Sequence, residues 1–84
     1  MQITRIKPDS NGNSRRVVHF LEFLTPADRT ANLTTTALYD LALKRARKLG
    51  GRKYHNRQYG GGIVFQAYSD EEVRCLVDRA LASA

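Results

Sequence analysis

Half of the basic residues of this chain lie in one short segment. Positions 44–57 hold seven of the 14 lysine and arginine residues and no acidic residue. Clustered cations neutralise phosphate groups and release their counterions, so binding to a nucleic acid weakens steeply as salt rises. The segment therefore predicts a nucleic-acid-binding surface. Its predicted phosphate contacts are Lys44, Arg47, Lys48, Arg52, Lys53 and Arg57.

Ring-bearing side chains alternate with this charge. His55 and Tyr59 are interleaved with Lys53 and Arg57, and Tyr68 follows on the next predicted strand. On an open sheet face, rings of this kind stack on unpaired bases while cations hold the phosphate backbone. Tyr59, with His55 and Tyr68, is therefore predicted to contact bases or sugars.

Other interpretations of these residues stay open. Tyr54 could belong to the core, with the other rings half-buried against neighbouring strands, and a duplex could bind to the helix instead. The basic face could also bind an acidic protein surface, or serve only to keep the protein in solution. A protein-binding inhibitor is accordingly the alternative function.

Catalysis and metal binding are not predicted. The chain has two histidines, and no group of His, Cys, Asp and Glu has the spacing of metal ligands. The glycines at 50–51 and 60–62 lack the pattern of a phosphate-binding loop and are explained as turns. Segment 52–59 holds residue types that can cleave nucleic acid through a tyrosine, but they crowd onto one strand without acidic metal ligands nearby. We expect a non-enzymatic protein without cofactor or metal.

Length and composition favour one small binding domain. The chain has 84 residues and a formal net charge of +6, and a single domain over residues 1–84 is expected. So short a chain has little room to enclose a substrate cavity.

The sequence also favours a location in the cytoplasm. Its one cysteine, Cys75, excludes an intrachain disulfide, as is usual in a reducing compartment. No apolar stretch approaches the roughly 20 residues that span a bilayer, no export signal is recognised, and a homodimer stays open.

The first half of the chain predicts a hairpin followed by a helix. Residues 1–7 and 15–24 are predicted strands, and the second is apolar enough to be central. Residues 25–35 are predicted to form a surface linker that begins where Pro26 ends the strand. From about Thr36 to Leu49, apolar residues recur at helical spacing. One of the threonines 34–36 is expected to cap this helix, and Gly50-Gly51 to end it.

The segment 52–68 predicts a second hairpin with a two-residue turn at Gly60-Gly61. This turn places Arg57 opposite Val64 and Tyr54 opposite Ala67. Tyr54 then shares the apolar face of the second strand, and the basic and other ring-bearing residues share the opposite face.

The last element is a helix from the capping box at 69–72 to about Leu81. Combined with the two hairpins and the first helix, it gives the order ββαββα. The predicted fold class is α+β, a four-stranded, mainly antiparallel sheet with two helices on one face.

Residues 37–81 resemble a module of large polyvalent proteins of phages and plasmids. A helix ends in Leu49-Gly50-Gly51, an aromatic strand leads to Gly61-Gly62-Ile63-Val64-Phe65, and a Ser-Asp-Glu-Glu helix start follows. The resemblance implies a mobile-element origin and a small accessory protein that handles nucleic acid or blocks a host defence complex, and it carries over no catalytic residue. Inhibitors that mimic DNA are usually acidic, unlike this chain. A basic inhibitor would bind an acidic protein surface or the nucleic acid within the complex.

Overall fold

The computed structural model describes residues 1–57 and 59–84 of the chain. The strands are β1 (Thr4–Ile6), β2 (Arg15–His19), β3 (Arg52–Tyr54) and β4 (Gly62–Gln66), and the helices are α1 (Pro26–Thr30), α2 (Thr35–Arg47) and α3 (Asp70–Ala82). The strands form one sheet in the order β1-β2-β4-β3, with every neighbouring pair antiparallel. The predicted α+β class and its four-stranded sheet are confirmed. Among the described residues, no helix combines the length and the apolar character that crossing a bilayer requires.

The hydrophobic core lies between one face of the sheet and the two long helices. Val18 on β2 pairs with Ile63 on β4, and these side chains share a face with Phe65. They form one buried cluster with apolar residues of α2 and α3, which confirms that both predicted helices cover the same face. The helical members of the cluster are Ala42, Leu43, Ala46, Val73, Val77 and Ala80.

Both long helices begin with a side-chain cap. The Thr34 hydroxyl accepts a hydrogen bond from the backbone N–H of Ala37 at 3.1 Å, and the Ser69 hydroxyl accepts one from Glu72 at 3.2 Å. After α2, Gly50 has a φ of +91°, a conformation that favours glycine. The predicted cap and stop of the first helix and the predicted start of the last are therefore confirmed.

The segment between β2 and α2 differs from the prediction. The strand predicted over 15–24 ends at His19, whose Nδ1 accepts a hydrogen bond from the N–H of Leu21 and begins a 3-10 helix over Phe20–Phe23. The predicted linker 25–35 contains α1, because Thr25 and Asp28 form a reciprocal capping box. The predicted strand was wrong beyond His19, because the cap formed by His19 redirects the backbone there. Residues 25–35 lie on the surface as predicted, since α1 buries no residue, but the short helix within them was not predicted.

The predicted register of the second hairpin is also wrong. Tyr54 lies opposite Gly62 rather than Ala67, and Arg52, not Arg57, lies opposite Val64. β3 ends at Tyr54 and β4 begins at Gly62, so a two-residue turn at Gly60-Gly61 does not join them. The part of the predicted strand at Gln58 lies outside the described residues. Because the shift is an odd number of residues, it exchanges the two faces of β3. Tyr54 therefore shares the outer face with Val64, and Lys53 lies on the face that carries the helices.

Candidate nucleic-acid interface

Two arginines of the chain are held by carboxylates and backbone carbonyls. On α2, Arg45 Nη1 donates to Asp28 Oδ2 at 2.6 Å and to the carbonyl of Phe23 at 2.9 Å. The Arg45 guanidinium, with the N–H of Thr25, holds the pKa of Asp28 well below its usual range. Arg45 is one of the seven cations in segment 44–57, and this geometry withdraws it from the binding surface.

Arg16 on β2 is held in the same way. Its Nε donates to Asp70 Oδ1 at 3.0 Å, and its Nη1 donates to the carbonyl of Ala67 at 2.6 Å and to the hydroxyl of Ser14 at 2.8 Å. The residue is only 9% exposed. Arg16 therefore ties the start of α3 to the sheet and offers no charge to a ligand.

A basic cleft lies where α2 ends beside β3. It is an open depression of about 410 Å³, lined by Arg47, Gly50, Gly51, Arg52 and Lys53. A Cβ at Gly51 would lie 2.8 Å from both the Ala46 Cβ and the Phe65 ring, so glycine lets the chain turn close to the core here. The turn brings Arg47 from the helix beside Arg52 and Lys53 from the strand.

The other three predicted phosphate contacts do not line this basic cleft. Lys44 and Lys48 are exposed on α2 and at its C-cap, at helical spacing from each other, and Arg57 is exposed in the connection after β3. Within residues 1–57 and 59–84, none of the six predicted cations forms an ion pair with a carboxylate. All six residues are exposed, so their charges are accessible to a ligand.

An apolar groove of about 730 Å³ adjoins the basic cleft. The rings of Phe20 and Tyr39 stack in parallel with centroids 5.0 Å apart, and Lys53 Nζ lies 5.7 Å from the centroid of Tyr39. Tyr39 Oη donates to the Gly62 carbonyl at 2.5 Å, and burial raises the pKa of Tyr39. The lining residues are Phe20, Thr35, Thr36, Tyr39, Asp40, Leu43, Lys53, His55, Gly60 and Gly61.

Tyr59 packs on the outer face of the sheet instead of projecting from it. Its ring meets that of Tyr54 edge to face, with centroids 6.3 Å apart. A Cβ at Gly62 would lie 2.8 Å from both the Tyr59 ring and the Val17 side chain, which places this ring over the outer face. Burial, with a smaller effect from the Glu22 carboxylate, raises the pKa of Tyr59. For Tyr59 the half-buried interpretation is the one that the structure supports.

Tyr68 is separated from the other predicted ring contacts. It follows the end of β4, whereas His55 and Tyr59 precede its start, and a five-residue strand is about 13 Å long. Tyr68 is 61% exposed and donates from Oη to Asn13 Oδ1 at 2.8 Å. The structure therefore brings His55 to the apolar groove beside Lys53, but it does not place Tyr59 and Tyr68 on one surface with it.

Apart from Lys53 and His55, the groove residues were missed by the sequence analysis. Tyr39 and Leu43 have the spacing of core positions on α2, so the sequence gives no sign that they also line the groove. One signal that could have pointed to the groove was Asp40, because it is the only acidic residue of an otherwise basic helix α2. For metals, the part of the chain that the structure describes contains no group of three or more His, Cys, Asp or Glu side chains that could hold an ion.

Comparison with known proteins links the chain to a phage protein family. Residues 1–79 match a family model described as Staphylococcus phage terminal repeat-encoded protein TreK. No curated protein and no solved structure matches the chain. The phage association implied by residues 37–81 is supported, although the family found is not the polyvalent-protein module.

Proposed function

Since the chain belongs to the Staphylococcus phage terminal repeat-encoded protein family TreK, we propose that it is a phage accessory protein that binds nucleic acid without acting as an enzyme. The observation that carries the proposal is the basic cleft. Arg47, Arg52 and Lys53 converge there from two elements and form no ion pair within the described residues. Cations kept free in this way are available to phosphate groups.

The chemistry of the cleft suits a phosphate backbone. Two guanidinium groups offer planar, paired donors to phosphate oxygens, and the Lys53 ammonium adds a compact charge. Lys44, Lys48 and Arg57 are further exposed cations of the same segment that could contact phosphates outside the cleft. Base or sugar contacts are assigned to His55, because it lies beside Lys53, and not to Tyr59 or Tyr68.

The proposal is tested with a variant that carries Arg47→Ala, Arg52→Ala and Lys53→Ala. Binding of labelled DNA and RNA is measured by fluorescence anisotropy between about 50 and 200 mM salt. Each lost phosphate contact lowers the slope of log affinity against log salt by about 0.7–0.9, so we expect the slope to fall by about 2 to 3. The affinity at low salt should fall at least about tenfold.

The matched control removes the same charge elsewhere, with Lys7→Ala, Arg74→Ala and Arg79→Ala. These three side chains are exposed and line no part of the basic cleft. The control should keep most of the salt slope. Equal weakening by both triple variants would show that only net charge matters and would refute the assignment to the cleft.

An acidic protein surface is the alternative partner for the same cations. It would be favoured if the wild-type protein bound no nucleic acid at low salt. A stable protein complex, isolated after nuclease treatment and lost in the cleft variant, would then identify a protein-binding inhibitor.

A further inference from the structure

We propose that the apolar groove receives one unpaired base of a single-stranded nucleic acid whose phosphates lie in the basic cleft. This inference rests on the proposed function and makes it more specific. It names the class of nucleic acid and assigns a role to residues that carry no phosphate-binding charge. Its central observation is that Lys53 lines both the groove and the cleft.

The two surfaces are continuous along one side of α2. Thr36, Asp40 and Arg47 follow one another at intervals of four and seven residues, which places them on one stripe of the helix. Thr36 and Asp40 line the groove, and Arg47 lines the cleft. At 1.5 Å per residue the stripe is about 16 Å long. A strand with its phosphates at Arg47 and Lys53 therefore has the groove beside it.

The groove has the chemistry of a base site. A nucleobase presents flat apolar faces and an edge of hydrogen-bonding groups, and sites for such ligands combine apolar walls with a few polar groups. Here Phe20, Tyr39 and Leu43 supply the apolar wall. The Asp40 carboxylate can accept hydrogen bonds from an exocyclic amino group, and a threonine hydroxyl can donate or accept at the base edge.

Charge complementarity decides among the possible occupants. A purely apolar ligand would leave Lys53, His55 and Asp40 without partners at the rim, whereas a nucleotide brings phosphate to Lys53 and a polar edge to Asp40. A paired base cannot enter the groove unless the duplex opens, which adds the cost of unstacking and unpairing. The groove therefore favours a strand whose bases are already unpaired.

Gly60 offers a way to fill the groove while keeping the cleft. It lines the groove but not the cleft, and a Cβ at this position would meet only His55 Cε1, at 4.0 Å. Its backbone has no positive φ. Gly60→Trp should therefore fold and occupy the space of the base.

A second variant fills the groove from the helix. Thr36→Phe changes an exposed position of α2 that lines the same groove. Ser10→Trp, in the connection between β1 and β2, is the matched control.

The probes are strands of about 12 nucleotides, a length within the range of single-strand binding sites. One is DNA of mixed sequence, one is the same DNA backbone with abasic positions, and one is RNA of the same sequence. The wild-type protein should bind the base-bearing DNA about tenfold or more tightly than the abasic strand, the scale expected for one base contact in a single-strand site. Gly60→Trp and Thr36→Phe should lose this preference and keep the affinity for the abasic strand.

The outcomes separate this inference from the proposed function. If the wild type does not distinguish base-bearing from abasic DNA, or if both groove variants keep the preference, the groove is not a base site. A salt slope that still depends on Arg47, Arg52 and Lys53 would leave the proposed function standing. If no strand binds at low salt, both fail. The RNA probe, compared between the wild type and Gly60→Trp, shows whether the groove accepts bases of either polymer.

Discussion

Arg45 and Arg47 stand two residues apart on α2, on different sides of the helix, and the molecule uses them differently. Arg45 donates to Asp28 on α1 and to the carbonyl of Phe23 in the preceding 3-10 helix. Arg47 lines the basic cleft with Arg52 and Lys53 and forms no ion pair within the described residues. Two arginines of one helix thus divide into a structural cation and a cation available to a ligand.

The difference lies in what the fold brings to each guanidinium. Asp28 is 17 residues away from Arg45 in sequence, and Asp70 is 54 residues away from Arg16. Both contacts depend on tertiary structure, so a count of charges along the chain cannot reveal them. Within segment 44–57, the cations that have no carboxylate partner define the candidate surface better than the whole segment does.

The largest expected effect follows from removing Arg16. In Arg16→Met, the buried carbonyl of Ala67 loses its donor and Asp70 loses its partner. Because an unsatisfied buried polar group and a lost charged hydrogen bond each destabilise the fold, the free energy of unfolding should fall by about 2–3 kcal/mol. Urea denaturation measures this change. A loss below about 0.5 kcal/mol, the range of ordinary surface substitutions, would contradict the structural role.

A smaller effect, with a defined pH dependence, is expected for Arg45→Met. The pKa of Asp28 is depressed in the folded protein, so the ionised carboxylate stabilises the fold above its unfolded pKa and loses that effect as the pH falls through the folded pKa. The melting temperature of the variant should be lower than that of the wild type at neutral pH. The difference should narrow from about pH 5 to about pH 2. A gap that stays constant over this range would show that Asp28 does not depend on Arg45.

Helical spacing and caps predicted α2 and α3, because both signals are local to each helix. Thr34 caps α2 and Ser69 caps α3 by hydrogen bonds to residues three positions ahead. The short helix α1 was missed, although Thr25, Pro26 and Asp28 carry its start signal in the sequence. No apolar residues at helical spacing follow this start signal, so the segment was interpreted as a linker.

The register of β3 against β4 could not be predicted from the glycines alone. Three consecutive glycines allow turns of several lengths, and each change of one residue exchanges the faces of the strand. The observed connection is closed by hydrogen bonds between Asn56 and Tyr59, which donates its N–H to Asn56 Oδ1 at 2.6 Å. This register moves Lys53 to the helical face, beside Tyr39. The apolar groove was unpredictable for the same reason.

The smallest effect on stability, and the sharpest test of the division between the two classes of arginine, is expected for Arg47→Ala. Its side chain is exposed at the end of α2, where it gains only a modest interaction with the helix dipole, so the free energy of unfolding should change by less than about 0.5 kcal/mol. The salt slope of nucleic-acid binding should nevertheless fall by about 0.7–0.9.

Arg74→Ala provides the control for this prediction. Arg74 pairs with Glu71 at 3.3 Å, and both side chains are at least half exposed, so this surface ion pair should contribute little to stability. Removing Arg74 lowers the net charge as much as removing Arg47, but it takes no cation from the basic cleft. The salt slope should therefore change in Arg47→Ala and stay the same in Arg74→Ala. Equal salt slopes in the two variants would mean that Arg47 contributes no more to nucleic-acid binding than any other exposed arginine. Binding would then depend on the total charge of the protein and not on the basic cleft.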